Sequence, residues 1–254
     1  IQPEKNKTTL SQDLILGNYG LRRNDSRYQT ATDKHALLLN YGHQETEGFT
    51  IHNASRKDYA SLVYSFTPSE KEKINTYFGY SNSYDQRVGE LTTTQFDAGD
   101  YSGNPDYIKR DGHSNVITFR AGATHEYKIN EHISTMNTIY GTAFSSNASS
   151  AAGWTDKSTG NYGLRSSIRS KWDLTSKIEL SGLTGIEVQR QDAWVIGYNM
   201  KQNPSDTAST WKLGVNPYWV INAITSDVNS VSINKTLFSE WTLSLPKDVA
   251  ITAG

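Results

Sequence analysis

Apolar and polar residues alternate with period two along most of the chain, the spacing at which neighbouring side chains of a β-strand face opposite sides. Segment 115–127 is the cleanest: Ile117, Phe119, Ala121 and Ala123 share one face, and Thr118, Arg120, Gly122 and Thr124 the other. In 162–172, Tyr162, Leu164, Ile168 and Trp172 alternate with Arg165, Ser167, Arg169 and Lys171, so cations line one side. Segment 232–245 sets Ile233, Leu237, Trp241, Leu243 and Leu245 against Asn234, Thr236, Glu240, Thr242 and Ser244. Segments 59–66 and 73–81 behave alike, with Val63 and Tyr77 interrupting their polar rows. Weaker alternation over 10–19, 22–30, 35–45, 132–144, 178–190 and 249–254 brings the expected strands to eleven. No helical periodicity of useful length competes.

The connections carry a second pattern. Tight polar turns are expected at 31–34, 68–71, 128–131, 174–177 and 245–248, and longer excursions at 47–57, 83–114, 145–161 and 192–231. Short turns at one rim and long loops at the other are what a transmembrane β-barrel presents to its two solvents. The expected fold is therefore all-β: an antiparallel transmembrane β-barrel meander of about eleven strands, in one segment spanning 1–254. A soluble two-sheet sandwich also alternates apolar and polar residues. It has no reason to make every second connection tight.

Composition permits the barrel. Only 35% of residues are apolar, and a barrel wall needs an apolar residue only at alternate positions. The chain holds 25 basic and 26 acidic residues and no cysteine, which leaves no electrostatic footprint for nucleic acid and no disulfide or thiolate metal site. Fifteen Tyr and six Trp suit membrane interfaces and sugar-binding surfaces alike. No signal peptide is visible at Ile1, so any export signal is expected upstream or already removed.

Particular residues carry a family resemblance. Gly17–Arg23 (Gly-Asn-Tyr-Gly-Leu-Arg-Arg) resembles the segment leading from the first barrel strand into the second in TonB-dependent outer-membrane receptors. Asn40–Phe49 is similar to their third strand, with its acidic-Gly-aromatic step. Gly89–Thr92, Gln95-Phe96, Asn104-Pro105 and Tyr107 resemble the third extracellular loop of receptors for ferric citrate and related iron chelates. Leu237–Trp241 followed by Val249–Gly254 looks like a mid-barrel hairpin. The resemblance implies about half of a 22-stranded wall, with the plug, the TonB box and the C-terminal strands absent from the chain. It further implies an outer-membrane location in a Gram-negative bacterium, contact with outer-membrane lipid, a ferric chelate as ligand, and TonB as a partner acting through the plug. No catalytic step belongs to such a receptor.

Candidate chemistry is sparse. Six histidines at 35, 43, 52, 113, 125 and 132 lack the helical spacing of a zinc protease, and no metal or cofactor is assigned. Asp97, Asp100, Asp106 and Asp111 crowd one loop without the calcium-loop pattern, so a solvated acidic loop is expected, with calcium as the alternative. Neither a Gly-x-Ser-x-Gly elbow nor a phosphate loop occurs. A carboxylate-type iron chelate is an anion, which guanidinium groups with Tyr and Gln donors can hold. Loop placement and this chemistry nominate Arg22, Arg87, Gln95, Tyr107 and Arg110 as ligand contacts. Arg120, Arg165 and Arg169 are read as lumen residues pairing with a plug. Tyr84, Tyr101, Tyr107 and Trp154 are read as loop-packing aromatics. Two other readings stay open: a self-contained outer-membrane barrel hydrolase, and a soluble β-sandwich glycan-binding module.

Overall fold

A computed structural model describes residues 6–203 and 219–254. Eleven strands run as β1 (Thr8–Leu16), β2 (Arg22–Ala31), β3 (His35–Thr46), β4 (Ser55–Ser69), β5 (Glu72–Gln86), β6 (His113–Lys128), β7 (Ile133–Ser150), β8 (Gly153–Thr175), β9 (Ile178–Gln202), β10 (Trp219–Leu245) and β11 (Val249–Ala253). They form one antiparallel sheet in sequence order, each strand bonded to the next, which leaves β1 and β11 as open edges among the described residues. A two-sheet sandwich is thereby replaced by a single meander. The five tight turns lie where the sequence places them: β2–β3, β4–β5, β6–β7, β8–β9 and β10–β11 are each joined by two to four residues at one rim.

At the opposite rim two expectations need correction. The excursion over 145–161 is not a loop: β7 and β8 pair without interruption from Ile133↔Ser170 to Ser150↔Gly153, leaving only Ala151 and Ala152 at the tip. Likewise 192–202 and 219–231 continue β9 and β10, and the rest of that excursion, 204–218, lies outside the described residues. The β7–β8 extension is polar on both faces, as in Ser145, Ser146 and Asn147 opposite Ser158, Lys157 and Asp156. A strand paired in water needs no apolar row, so hydrophobic periodicity could not reveal it. The third departure is a pair of one-turn helices, α1 (Thr93–Asp97) and α2 (Pro105–Ile108), inside the 87–112 loop.

Register joins the alternating rows into two continuous faces. One rung runs Tyr28↔Leu39↔Leu62↔Phe78↔Ala121 across β2 to β6. A neighbouring rung reaches Ala123↔Ile139↔Leu164↔Val188. These apolar side chains stay exposed, with Ile139 at 60% and Leu237 at 77%. Among the described residues the buried apolar side chains are Ala31, Ala54 and Ile108, too few for a water-soluble core. The apolar face is the membrane wall. From Trp172 to Tyr162 on β8, strand rise and a tilt of roughly 40° give a band about 25 Å tall, the hydrocarbon height of an outer-membrane barrel. At its tight-turn edge Trp172 and Trp241 stack with ring centroids 6.0 Å apart, an interfacial aromatic pair.

The other face is polar and is held in register by tyrosines lying across glycines. Tyr59 on β4 covers Gly42 on β3, where a β-carbon would strike the ring, and its hydroxyl donates to Asp25 on β2 at 2.5 Å. Tyr140 on β7 repeats the device over Gly163 on β8 and donates to Glu187 on β9 at 2.7 Å. A one-residue slip would take both tyrosine hydroxyls from their carboxylates and turn every apolar side chain of the slipped strand to the wrong face. Arg120, Arg165 and Arg169 lie on this polar face by register, and the Arg165 guanidinium sits 4.5 Å from the centroid of Phe238.

Adjacent substitutions on β10 test the assignment of faces. Leu237→Lys, at mid-band on the apolar face, is expected to destabilise the protein in lipid by about 2–4 kcal/mol. Thr236→Lys, opposite Glu187 on the polar face, is expected to be near neutral. Urea unfolding in vesicles measures both.

Candidate functional site

The rim opposite the tight turns is built from loop 1 (17–21), loop 2 (47–54) and loop 3 (87–112). Loop 1 reverses direction through Tyr19 and Gly20, both at positive φ. The Tyr19 carbonyl then accepts from the Glu47 amide at 2.9 Å and from the Thr46 hydroxyl at 2.9 Å, tying loop 1 to the end of β3. Gly48 turns at φ +79, and a β-carbon there would run into the Asn53 carbonyl. Only glycine closes this turn.

Loop 3 is a compact folded unit. Thr92 and Gln95 form a reciprocal capping box at α1, and the Gln95 amide also donates to the Gly103 carbonyl at 3.2 Å. Asn104 caps α2 with Pro105 in its first turn. The Tyr107 ring fills the space above Gly89 and Gly112, where added β-carbons would meet it. Asp106 binds Lys109 at 2.5 Å and Arg110 at 3.1 Å. Those two cations, led by the Lys109 hydrogen bond, hold its carboxyl below the usual range. Arg110 and Lys109 in turn stand 4.2 and 5.2 Å from the Trp219 ring centroid on β10, a cation–π clamp between the loop and the wall. Ser149 on β7 donates to the Arg110 carbonyl at 2.5 Å.

Loops 2 and 3 meet at His52. Its Nε2 lies 2.9 Å from the Gly112 carbonyl and 3.6 Å from Asp111, with the side chain almost fully buried. Burial lowers its pKa; Asp111 and the Gly112 carbonyl act in the opposite sense, and His113 adds to the lowering. Asp111 also approaches His113, whose ring stacks on Tyr84 at 5.3 Å and meets Trp154 edge-on at 5.1 Å.

The five nominated ligand contacts fall into two places. Arg87, Gln95, Tyr107 and Arg110 share loop 3, as its spacing suggests. Arg22 stands apart at the start of β2, on the same side of the wall as Leu16 and largely exposed, 3.6 Å from Glu45. Of these four, Arg87 alone has an exposed side chain; Gln95, Tyr107 and Arg110 are engaged in shaping the loop. The four aspartates do not converge: Asp97 is exposed at the end of α1, Asp100 accepts from the Ser102 amide, Asp106 binds Lys109 and Arg110, and Asp111 faces histidines. Among the described residues no three His, Asp or Glu side chains are grouped to hold a metal ion.

Missed by sequence reasoning is the aromatic contact between loops: Tyr19 meets Phe49 at 6.1 Å and Phe49 meets Tyr101 at 5.4 Å, both edge-to-face. Each residue is isolated in its own segment, and the tertiary fold alone brings them together.

No family model matches the chain, and no curated protein sequence does. Solved structures do. The ferric-catecholate import receptor Fiu of Escherichia coli K12 aligns over 99% of this chain and 44% of its own length, with a TM-score of 0.70 at 15% identity. For the ferric preacinetobactin receptor BauA of Acinetobacter baumannii the figures are 92%, 38%, 0.66 and 11%. The ferric citrate transporter FecA gives 92%, 34%, 0.63 and 12%. The chain thus has the barrel-wall fold of outer-membrane import receptors and spans less than half the length of the structures it matches. All three are named as receptors or transporters and not as enzymes.

The sign of the His52 effect gives a pH prediction. Because the docked state lowers its pKa, the contribution of this contact is present above the ordinary histidine value of 6.5 and is lost as pH falls below it. The protection factors of the loop 2 amides, which are hydrogen-exchange rates corrected for the intrinsic pH dependence, are expected to fall on acidification from pH 7 to about 5. In His52→Gln that fall should vanish.

Proposed function

We propose that this chain is a wall segment of a TonB-dependent receptor in the outer membrane of a Gram-negative bacterium, taking up a ferric chelate, either a siderophore or ferric citrate. The observation that carries the reading is the combination of an import-receptor wall with a folded loop 3 that leaves Arg87 exposed at its loop rim. In this reading the tight turns face the periplasm, β1 runs outward, and the open edges are continued by further strands around a plug. TonB acts through that plug, and Arg120, Arg165 and Arg169 pair with its acidic side chains. No bond to the chelate is made or broken.

Ligand capture is electrostatic at first contact. An anionic chelate approaches a rim where Arg87 and Arg22 are exposed, and charge-assisted hydrogen bonds from guanidinium groups then hold it. Gln95, Tyr107 and Arg110 hold loop 3 in the shape that presents Arg87. The fold positions the loop, and the loop positions the charge.

Iron uptake by cells producing the full-length receptor tests the reading. Uptake of radiolabelled ferric chelate is expected to require TonB and to stop in a TonB-deficient strain. Arg87→Ala is expected to weaken chelate binding by roughly tenfold, about 1.4 kcal/mol, while leaving the barrel folded. Uptake that is indifferent to TonB contradicts the receptor reading, and unchanged binding by Arg87→Ala contradicts the anionic site.

A further inference from the structure

We propose that the outward face of β8, β9 and β10, toward the loop rim, is a docking surface for a phosphorylated glycolipid of the outer leaflet; this rests on the outer-membrane placement proposed above and not on the chelate. Along β9 the side chains of this face follow one another as Ile186, Val188, Arg190, Asp192 and Trp194. From mid-band outward the order is apolar, cationic, then aromatic. A phosphorylated glycolipid presents acyl chains, phosphates and sugars in that same order.

Register gathers the cations. Arg190 lies opposite Tyr162, at the upper end of the apolar band, and opposite Ile233 on β10. Lys235 stands one rung lower, opposite Val188, so the two cations are diagonal neighbours about 7–8 Å apart. Asp192 holds Arg190 through Nε at 3.0 Å and Nη2 at 2.8 Å, and the guanidinium stays half-exposed. Lys235 is exposed and has no ion-pair partner among the described residues. An ammonium facing hydrocarbon is unfavourable, so its stem reaches toward the headgroup level. Toward the tight turns the same face carries no charge from Leu164 to Trp172, from Val188 to Leu180 or from Leu237 to Leu245. The cations therefore serve one leaflet only.

Beyond the cations the face changes to sugar chemistry. Trp194 is 50% exposed, and its indole N–H donates to Asp227 on β10 at 2.5 Å, which fixes the ring and leaves its surface open. Trp154 donates likewise to Asp156 at 2.8 Å. A sugar ring lays its C–H groups on such aromatic surfaces and gives its hydroxyl protons to neighbouring carboxylates. Asp156, Asp192 and Asp227 would repel a phosphate placed among them. The phosphate is thus set at Lys235 and Arg190, with the sugars above it. Opposite Asp192, a β-carbon added to Gly160 would meet nothing within 4 Å, so a shallow notch opens beside the cations. A phospholipid, which lacks the sugars, leaves the upper part of this surface bare.

Binding to the full-length receptor purified in detergent tests the assignment, with lipopolysaccharide, the same lipopolysaccharide stripped of its phosphates, and phosphatidylglycerol as probes. Intact lipopolysaccharide is expected to bind about tenfold tighter than either of the others. Lys235→Gln should weaken it about tenfold and abolish the preference for phosphate, and Lys235→Arg should keep both. Lys57→Gln, on the polar face opposite Gln44, should change nothing. Trp194→Ala should weaken lipopolysaccharide about fivefold and leave phosphatidylglycerol unchanged. Equal affinity for lipopolysaccharide and phosphatidylglycerol, indifference to phosphate removal, or full affinity in Lys235→Gln overturns the docking surface and leaves the uptake reading standing. Absence of the receptor from the outer-membrane fraction of the cell overturns the surface and that placement together.

Discussion

The whole molecule answers to one constraint: a peptide group placed in hydrocarbon must find its hydrogen-bond partner within the protein. A meander meets that demand by bonding each strand to its sequence neighbour, and every strand here does so. Pairing in turn imposes the period of two, which assigns one face to lipid and one to the interior. This is why the protein has no apolar core in the usual sense. Its apolar surface faces outward, and Ala31, Ala54 and Ile108 are the buried apolar side chains among the described residues.

Beyond the hydrocarbon the constraint relaxes, and the chain changes character. The β7–β8 hairpin continues as a ladder of serines, threonines and asparagine because water satisfies whatever the ladder does not. Loop 3 folds instead as two capped helical turns with an internal ion-pair and cation–π arrangement. Loops 1 to 3 are cross-linked by side chains and carbonyls, through Tyr19, Phe49, Tyr101 and His52. Each non-glycine residue at positive φ in these loops, Tyr19, His52 and Asp111, sits at one of the inter-loop contacts or beside it. Backbone strain is therefore placed where loops meet.

Where side chains alternate in polarity, the wall was legible in the sequence. The apolar rows of 117–123, 162–172 and 233–245 turned out to share one face, interrupted on β10 by Lys235 opposite Val188, and the tight turns fell where short polar runs were expected. What the sequence concealed were strands with no polarity contrast, as in Ser145–Ser150, because a water-exposed ladder leaves no hydrophobic signature. The helices of loop 3 had weak local signals, Thr92 three residues before Gln95 and Asn104 before Pro105, which a search for long periodicity passes over. Of the candidate site, the grouping of Arg87, Gln95, Tyr107 and Arg110 on one loop was readable. The placement of Arg22 away from Arg87 was not, and neither was the ring contact of Tyr19 with Phe49, since both depend on which loops the strand register brings side by side.

The most direct measurement is environmental scanning along β8 in the full-length receptor reconstituted into vesicles. Spin labels placed singly from position 162 to position 172 report whether oxygen dissolved in lipid or a water-soluble relaxation agent reaches each site. Tyr162, Leu164, Ile168 and Trp172 are predicted to show oxygen accessibility, alternating with low values at Arg165, Ser167, Arg169 and Lys171. Uniform water accessibility along the segment, or a repeat near 3.6 residues, would contradict the account.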